Sequence, residues 1–261
     1  MITEYYRPPT LEEALKLLAQ PDTLPLGGGT VLTRPGDRSF AVVDLQALGL
    51  DKIRKVGNKL EIGASATLSA LHESKHTLPA LAGALRLETP LNLRNMGTVA
   101  GTLVTCDGRS PFATVMLALD AKLTVEGGPS SVDRPPSTAY SLGDFLPVRS
   151  EILPGKLITK IEIPLNVKLA FESVARTPMD KPIICAALAQ WPSGRTRLVL
   201  GGWGSAPILA LDGNEPGGLE EAVRNAAADS GDEWASAEYR SEIAAVLAKR
   251  CLEELNRTVN K

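Results

Sequence analysis

The sequence Pro25-Leu26-Gly27-Gly28-Gly29-Thr30-Val31 places three consecutive glycines between two apolar stretches. Glycine tolerates positive φ and lets the main chain approach a ligand closely. A series of bare N–H groups that ends in a hydroxyl can form a concavity that binds an anion. The stretch therefore indicates a loop that cradles a phosphate or diphosphate, with a tight turn between two strands as the alternative. It is neither the nucleoside-triphosphate loop, because no Lys-Ser/Thr follows, nor the spaced Gly-x-Gly-x-x-Gly pattern.

The flanking sequence places this loop in a small α/β unit. Thr10 and Glu13 form a capping-box pattern ahead of an amphipathic helix, which we predict over residues 11–19. A short strand over residues 24–26 leads into the loop, and the apolar run over residues 40–45 reads as a buried strand. We therefore expect the glycine loop at the end of a strand.

A second unusual stretch, residues 92–105, reads Asn-Leu-Arg-Asn-Met-Gly-Thr-Val-Ala-Gly-Thr-Leu-Val-Thr. It combines small residues with the hydroxyl groups of Thr98, Thr102 and Thr105. We predict a loop and strand against whose backbone a flat or extended ligand can lie. The alternative is a turn of a solenoid-like β ladder, in which small residues simply pack.

The last third of the chain differs from the rest. Its predicted elements are three strands followed by two helices, at residues 168–176, 183–190, 196–202, 217–228 and 236–255. Strands followed by helices indicate an α+β module. Because Pro164 closes an alternating strand over residues 157–163, we place a domain boundary near residue 165.

Composition restricts the class of protein. The 261 residues are 44% apolar and 22% charged, which is typical of a globular chain that buries its own core. A net charge of −2 without a basic stripe argues against nucleic acid as a partner. Three scattered cysteines (Cys106, Cys185 and Cys251) and two histidines argue against a zinc site or an iron–sulfur cluster in this chain. An odd, scattered cysteine count favours the cytoplasm, and we expect neither a signal segment nor a membrane span.

Seven segments, taken in order, carry a family resemblance. They are Leu26-Gly-Gly-Gly-Thr, Val42-Val-Asp-Leu, Leu60-Glu-Ile-Gly-Ala-Ser-Ala-Thr, Leu93-Arg-Asn-Met-Gly-Thr-Val-Ala-Gly, Met116-Leu-Ala-Leu-Asp-Ala, Ile161-Glu-Ile-Pro and Ser236-Ala-Glu-Tyr-Arg. Each is weak alone, but their order and spacing are specific. Over essentially its whole length the chain resembles the FAD-binding medium subunits of the molybdenum hydroxylases, the xanthine dehydrogenase and carbon monoxide dehydrogenase family.

The resemblance implies an α+β fold with a FAD-binding domain of the vanillyl-alcohol-oxidase or PCMH type. This domain would occupy residues 1–165, with subdomains of about 1–54 and 55–165. A small α+β domain, made of a three-stranded antiparallel sheet and helices, would follow in residues 166–261.

The resemblance also implies where FAD is bound. The first glycine loop would wrap the diphosphate with backbone N–H groups, Thr98 would add a hydroxyl, and Gly101 would allow close approach. Ile158 would pack near the flavin or the adenine. The predicted cofactor-binding residues are Leu26, Gly27, Gly28, Gly29, Thr30, Val31, Thr98, Gly101, Thr102, Thr105 and Ile158.

The implied function is electron transfer within a larger complex. In such complexes a large subunit oxidises the substrate at a molybdopterin, and a small subunit with two [2Fe–2S] clusters passes electrons to the FAD. The flavin subunit then delivers electrons to NAD, a quinone or another acceptor, and the usual assembly is a dimer of heterotrimers. Because no acid–base pair or nucleophile set emerges from the sequence, we predict no catalytic residue and no metal ligand in this chain.

Some positions depart from the family pattern. Thr102 stands where Asn is common, Ser110 or Pro111 stands where a carboxylate often contacts a ribose of FAD, and Glu172 stands where many relatives carry Lys. Asp107 is close in sequence to the missing carboxylate. These departures motivate a second hypothesis, a docking subunit with a degenerate flavin site. A third hypothesis, a self-contained flavin oxidase, is disfavoured by the short chain and by the lack of a His or Cys placed for covalent flavin attachment.

Overall fold

The computed structural model of the chain describes residues 1–34, 36–128, 136–178, 180–214 and 217–257. The composition of residues 127–136 predicts a loop, and most of these residues lie outside the described part of the chain. Contacts divide the chain into two compact units. Unit 1 comprises Met1–Ser74, Leu91–Thr105 and Lys122–Glu162, and unit 2 comprises Lys75–Pro90, Cys106–Ala121 and Ile163–Lys261. The domain boundaries near residues 54 and 165 stay predictions.

The secondary structure of the described residues mixes strands and helices along the whole chain. The strands are β1 (Ile2–Tyr6), β2 (Thr23–Leu26), β3 (Phe40–Asp44), β4 (Ile53–Val56), β5 (Lys59–Gly63), β6 (Lys122–Gly127), β7 (Ser137–Ser141), β8 (Lys156–Pro164), β9 (Lys168–Val174), β10 (Ile184–Gln190), β11 (Thr196–Gly201) and β12 (Ile208–Gly213). The α-helices are α1 (Leu11–Leu18), α2 (Leu68–Glu73), α3 (Pro79–Glu88), α4 (Leu91–Met96), α5 (Val99–Thr105), α6 (Pro111–Ala118), α7 (Leu142–Ile152), α8 (Leu219–Ala226) and α9 (Ala237–Arg257). Within the described residues, no helix combines the length and the apolar character that a bilayer crossing requires.

Unit 1 begins with a parallel sheet in the order β1-β3-β2. The Thr10 hydroxyl accepts a hydrogen bond from the N–H of Glu13 at 3.3 Å, so the predicted helix cap is confirmed. The apolar face of α1 packs against this sheet through Leu15, Leu18 and Val43. Because β2 runs directly into the glycine stretch, the loop follows the end of a parallel strand, as predicted.

A second sheet of unit 1 has the order β4-β5-β8-β6-β7. The pairs β4–β5, β6–β7 and β6–β8 are antiparallel. The Gly57-Asn58 turn joins β4 to β5, and Thr67 caps α2 with its hydroxyl, which accepts the N–H of Ala70 at 3.1 Å.

The prediction of a loop and strand for residues 92–105 was wrong, because this stretch forms α4 and α5 with a turn between them. The Thr98 hydroxyl accepts the N–H of Gly101 at 3.1 Å and so caps α5. The hydroxyls of Thr102 and Thr105 donate to the carbonyl groups of Thr98 and Gly101, four residues back, at 2.8 Å each. The threonines therefore satisfy backbone groups of a short helix rather than those of a strand.

Unit 2 is built on an antiparallel sheet in the order β12-β11-β10-β9. The three predicted strands are confirmed as β9, β10 and β11, and β12 is an additional fourth strand at the edge. Helices α8 and α9 contribute apolar residues to the core on this sheet. The α+β class predicted from the sequence is confirmed, and the side chains of Cys185 and Cys251 are fully buried.

The C-terminal motif Ser236-Ala-Glu-Tyr-Arg ends in a buried arginine that joins loops of unit 2. The Arg240 guanidinium donates to the carbonyl groups of Ile183 at 3.0 Å and Gly202 at 3.3 Å, and to that of Ser230. It also forms an ion pair with Asp232 at 2.8 Å. Because each guanidinium nitrogen has a hydrogen-bond partner, the side chain can stay buried.

A part-buried carboxylate, Glu88, caps the buried helix α6 of unit 2. Its Oε2 atom accepts hydrogen bonds from the Ser110 hydroxyl at 2.8 Å and from the N–H of Phe112 at 3.0 Å. Burial raises the pKa of Glu88 above its usual value, and the two hydrogen bonds oppose this effect. The nearby charges of Lys181 and Asp107 act in opposite directions on the same pKa.

We predict that Glu88 makes the stability of the protein depend on pH. The folded state holds the Glu88 proton more tightly than the unfolded chain does. Wild-type stability should therefore fall as the pH rises from the usual glutamate pKa through the raised pKa of the folded state. The E88Q variant keeps an acceptor oxygen and should not show this fall. The E88A variant should lose about 1–3 kcal/mol, because it leaves the buried Ser110 hydroxyl without its acceptor.

Urea unfolding of wild type, E88Q and E88A at a series of pH values measures these differences. Replacement of the exposed Glu253 by Gln is the matched control. Parallel stability curves for wild type and E88Q across the pH range would contradict the prediction.

Candidate functional site

Unit 1 contains a cavity of about 1420 Å³. This volume exceeds the roughly 300–1,000 Å³ of common small-molecule pockets and has room for a dinucleotide. Its wall is made by α1, the glycine loop, the start of α5 and the segment that joins α7 to β8. The residues that line it include Glu12, Leu15, Lys16, Asp22, Gly27, Gly28, Gly29, Thr30, Val31, Arg38, Leu45, Thr98, Gly101, Thr102, Thr105, Gly127, Gly128, Arg149, Gly155, Lys156, Leu157 and Ile158.

The glycine loop presents main-chain donors that the protein leaves unused. Within the described residues, no protein group accepts a hydrogen bond from the backbone N–H of Gly27, Gly28, Gly29 or Thr30. Gly29 has φ of 69°, a left-handed conformation that favours glycine. Its carbonyl accepts the N–H of Thr33 at 3.2 Å, which closes the turn. Successive N–H groups without acceptors are typical of an anion-binding concavity.

The two glycine-rich stretches pack directly on each other. A Cβ atom at Gly28 would lie 1.6 Å from the carbonyl oxygen of Met96, a distance that no side chain can adopt. A Cβ at Gly27 would lie 2.9 Å from the Thr98 hydroxyl oxygen, and one at Gly101 would lie 2.7 Å from the same oxygen. The glycines are therefore required for internal packing, and this packing places the Thr98 hydroxyl beside the loop.

The three threonines of the second stretch are not equivalent. The hydroxyl hydrogens of Thr102 and Thr105 are donated to carbonyl groups of their own helix. The Thr98 oxygen accepts from Gly101, but within the described residues its hydroxyl hydrogen has no acceptor. Thr98 is therefore the one of the three whose hydroxyl can donate to a ligand while its helix stays intact.

The cavity brings together ten of the eleven residues predicted from the sequence: Gly27, Gly28, Gly29, Thr30, Val31, Thr98, Gly101, Thr102, Thr105 and Ile158. Leu26 is the exception. It ends β2, and its carbonyl accepts the N–H of Leu45 at 3.2 Å. Ile158 lies in β8 and is almost fully buried. The contacts of these residues with a cofactor stay a prediction.

Charged side chains on the cavity wall form local pairs. The Lys16 ammonium lies 2.7 Å from a Glu12 carboxylate oxygen, and the Arg38 guanidinium lies 2.7 Å from an Asp22 oxygen. The hydrogen bond with Lys16 lowers the pKa of Glu12, and the same bond raises the pKa of Lys16.

The sequence reasoning missed a second glycine-containing part of the wall. Gly127, Gly128 and Gly155 all have positive φ, and Lys156 begins β8 beside them. A Cβ at Gly127 would lie 2.9 Å from the carbonyl oxygen of Gly155 and 3.0 Å from Leu15. The signal in the sequence is the Gly-Gly pair at the end of a predicted strand, which points to a close approach of two backbone segments.

Two of the positions that depart from the family pattern, Ser110 and Pro111, serve local structure in unit 2. The Ser110 hydroxyl accepts the N–H of Ala113 at 3.0 Å, and Pro111 is the first residue of α6. Pro is favoured at this position because the missing N–H is not needed there. Within the described residues, no three His, Cys, Asp or Glu side chains gather as a possible metal site.

The fold and the cavity define an α+β protein in which a glycine loop lines a cavity large enough for a nucleotide-type cofactor. Comparison with protein families is more specific: the family described as "FAD binding domain in molybdopterin dehydrogenase" matches residues 1–166. Because this match covers more than half of the chain, the chain belongs to this family of oxidoreductase flavoproteins. The family predicted from the motifs and FAD as its cofactor are both confirmed.

Two relatives and one solved structure show similarity over nearly the full length. The chain is 28% identical to the 6-hydroxypseudooxynicotine dehydrogenase complex subunit alpha of Paenarthrobacter nicotinovorans, covering 95% of this chain and 93% of the relative. It is also 28% identical to the carbon monoxide dehydrogenase medium chain of Afipia carboxidovorans, covering 96% and 95%. A chain of quinoline 2-oxidoreductase from Pseudomonas putida 86 superposes with a TM-score of 0.78 at 22% identity, covering 98% and 97%. This last match shows the fold alone, and it confirms the predicted fold class.

We predict that Gly28→Ala disrupts the packing of the loop even without a ligand. The added Cβ would overlap the Met96 carbonyl, so the backbone must move, and stability should fall by about 1–3 kcal/mol. Gly36→Ala is the matched control, because nothing lies within 4 Å of its Cβ position. Chemical unfolding of both variants measures the effect. Equal unfolding midpoints would show that the loop is not held by this contact.

Proposed function

We propose that the chain is the FAD-binding, electron-transfer subunit of a molybdenum hydroxylase complex. The observation that carries the proposal is the part of the cavity wall where the N–H groups of Gly27 to Thr30 have no acceptor among the described residues. A diphosphate supplies acceptor oxygens at this place. The charge-assisted hydrogen bonds that result are among the stronger ones in proteins.

The residues around the loop fit the remaining parts of FAD. The Thr98 hydroxyl can donate to the diphosphate, and Gly101 keeps the start of α5 close to that hydroxyl. Leu45, Leu157 and Ile158 provide an apolar surface for a ring system. No His, Cys or Tyr is found among the described residues that line the cavity, so we expect FAD to be held without a covalent bond.

This chain positions the cofactor, and the redox chemistry is that of the flavin, which can take up electrons one at a time and release them as a pair. The glycine loop fixes the diphosphate with main-chain donors, which keep one geometry better than long side chains do. The apolar wall excludes water from the ring system. Neither task requires a general acid or base from this chain.

The proposed partners are a large molybdopterin subunit and a small [2Fe–2S] subunit, in a dimer of heterotrimers. Support comes from the relatives, whose names describe a complex subunit and a medium chain. The proposed electron acceptor is NAD or a quinone, and the chain alone would not be catalytically complete. We propose the cytoplasm as its location, since Cys106, Cys185 and Cys251 form no disulfide among the described residues.

The first prediction of this function concerns FAD itself. The purified chain should carry visible flavin absorbance, or gain it with added FAD and keep it through gel filtration. Thr98→Val should weaken FAD binding by about 10- to 100-fold, as expected for a lost hydrogen bond to a charged group. Thr98→Ser keeps the hydroxyl and should bind FAD with nearly the wild-type affinity. Thr105→Val should change the affinity much less, because its hydroxyl donates to Gly101.

Equilibrium titration with FAD, followed by flavin absorbance and fluorescence, gives these affinities. Circular dichroism must show that each variant is folded, since Thr98 also caps α5. A folded wild-type chain that stays colourless and does not retain FAD would favour the docking subunit with a degenerate site.

The second prediction concerns the complex. An affinity tag on this chain, expressed in its own host, should recover two further chains together with molybdenum and iron. Elemental analysis and mass spectrometry of the recovered material check this result. A tagged Gly36→Ala chain is the control and should recover the same partner chains, since that position lies in open space. Recovery of the FAD-loaded chain alone at native expression level would contradict the proposed assembly.

A further inference from the structure

The basic side chains of the cavity wall differ in whether they are already paired. Lys16 is neutralised by Glu12, and Arg38 by Asp22. Arg149 has an interaction partner of its own. Lys156 lines the same cavity, and within the described residues no carboxylate forms an ion pair with its ammonium group. Lys156 is therefore the basic residue of the wall whose charge remains available.

A ligand that fills the cavity would remove water from this ammonium group. A desolvated charge without a partner is costly, so the ligand must offer an anion or the lysine must turn away. We propose that Lys156 is a binding residue that supplies the positive charge opposite the diphosphate of the cofactor. This inference rests on the proposed function, because it takes FAD as the ligand of the cavity.

Contacts within unit 1 connect Lys156 to the glycine loop. Leu157, the next residue in β8, belongs to the same apolar cluster as Leu45. The N–H of Leu45 donates to the carbonyl of Leu26, which directly precedes Gly27. A shared apolar cluster and one hydrogen bond thus connect the start of β8 to the end of β2, which leads into the loop. The flexible stem of a lysine can extend from this position along the cavity wall.

The backbone beside Lys156 leaves room for the stem. A Cβ at Gly128 would lie 3.4 Å from Cε of Lys156, and Gly128 has φ of 108°. A larger residue at this place would restrict the lysine and would be strained in its own backbone. Gly128 therefore keeps the wall open where the lysine runs.

The neighbouring lysine of the same strand has a different environment. Lys160 lies 3.6 Å from a Glu61 oxygen and 3.8 Å from a Glu162 oxygen, and it is not among the cavity-lining residues. Lys156 and Lys160 are thus the same type of residue on the same strand. Only Lys156 lines the cavity, and it has no acidic partner among the described residues. This difference provides a matched control.

The diphosphate is the anionic part of oxidised FAD at neutral pH, and it is also present in ADP, which lacks the flavin. A reduced flavin ring carries a second anionic position. Binding of ADP and of oxidised FAD therefore tests the diphosphate, whereas an effect confined to the reduced state would place the lysine at the ring.

The experiment compares wild type, Lys156→Met, Lys156→Arg and Lys160→Met by equilibrium titration with oxidised FAD and with ADP at low and high salt. We expect Lys156→Met to weaken both ligands by about 10- to 100-fold at low salt. This loss should shrink at high salt, because salt screens the charge. Lys156→Arg should recover most of the affinity, and Lys160→Met should bind like wild type.

The outcomes separate this inference from the proposed function. If wild type fails to bind FAD, the proposed function itself is wrong. If wild type binds FAD and Lys156→Met binds FAD and ADP as Lys160→Met does, only the role of Lys156 is overturned. A loss for reduced FAD alone, seen as a shifted midpoint potential with unchanged ADP binding, overturns the assignment to the diphosphate.

Discussion

The cavity of unit 1 depends on the contact between Gly28 and the carbonyl group of Met96. No side chain fits between these two backbone segments, so close packing holds the glycine loop, whereas its N–H groups from Gly27 to Thr30 donate to no protein group among the described residues. Buried or half-buried N–H groups normally find an acceptor, and leaving them unpaired costs stability. Steric packing can hold the loop in a geometry that its hydrogen bonding alone would not favour. Acceptor atoms for these N–H groups can then come from an anion or from water.

This arrangement joins two roles that the sequence presented as alternatives. Three consecutive glycines could indicate either a tight turn or a phosphate cradle. The structure shows that the turn at Gly29 and the packing at Gly27 and Gly28 are what expose the donors. Substituting such a glycine would therefore change packing and ligand binding together. For this reason a binding defect at Gly27 or Gly28 alone says little about contact with the ligand, and hydroxyl or ammonium groups are more informative positions.

Much of the fold could be predicted from local patterns, because caps and alternation are local effects. The Thr10 and Thr67 caps and the turn at Gly57 are examples. The stretch 92–105 was mispredicted because threonine and glycine are poor helix formers, and its helices depend on a cap and on packing. The grouping of residues 75–90 and 106–121 with the C-terminal residues could not be predicted, since it depends on contacts distant in sequence. Lys156 was missed because a single lysine at a strand start has no distinguishing pattern.

The hydroxyl groups of α5 show why residue type does not identify a ligand contact. Three threonines follow one another on one short helix, and the sequence gives them equal weight. Thr102 and Thr105 donate their hydroxyl hydrogens to the carbonyl groups of Thr98 and Gly101, four residues back along this short helix. Thr98, as the cap, accepts the N–H of Gly101, and its hydroxyl hydrogen has no acceptor in the part of the chain that the structure describes. The position of a threonine relative to the helix start thus decides whether its hydroxyl hydrogen is donated within the helix or stays available at the cavity wall. The same reasoning distinguishes Lys156 from Lys16, whose ammonium group is already paired with Glu12. Among the threonines and among the lysines, a group that is already bonded within the protein is less available to bind a cofactor.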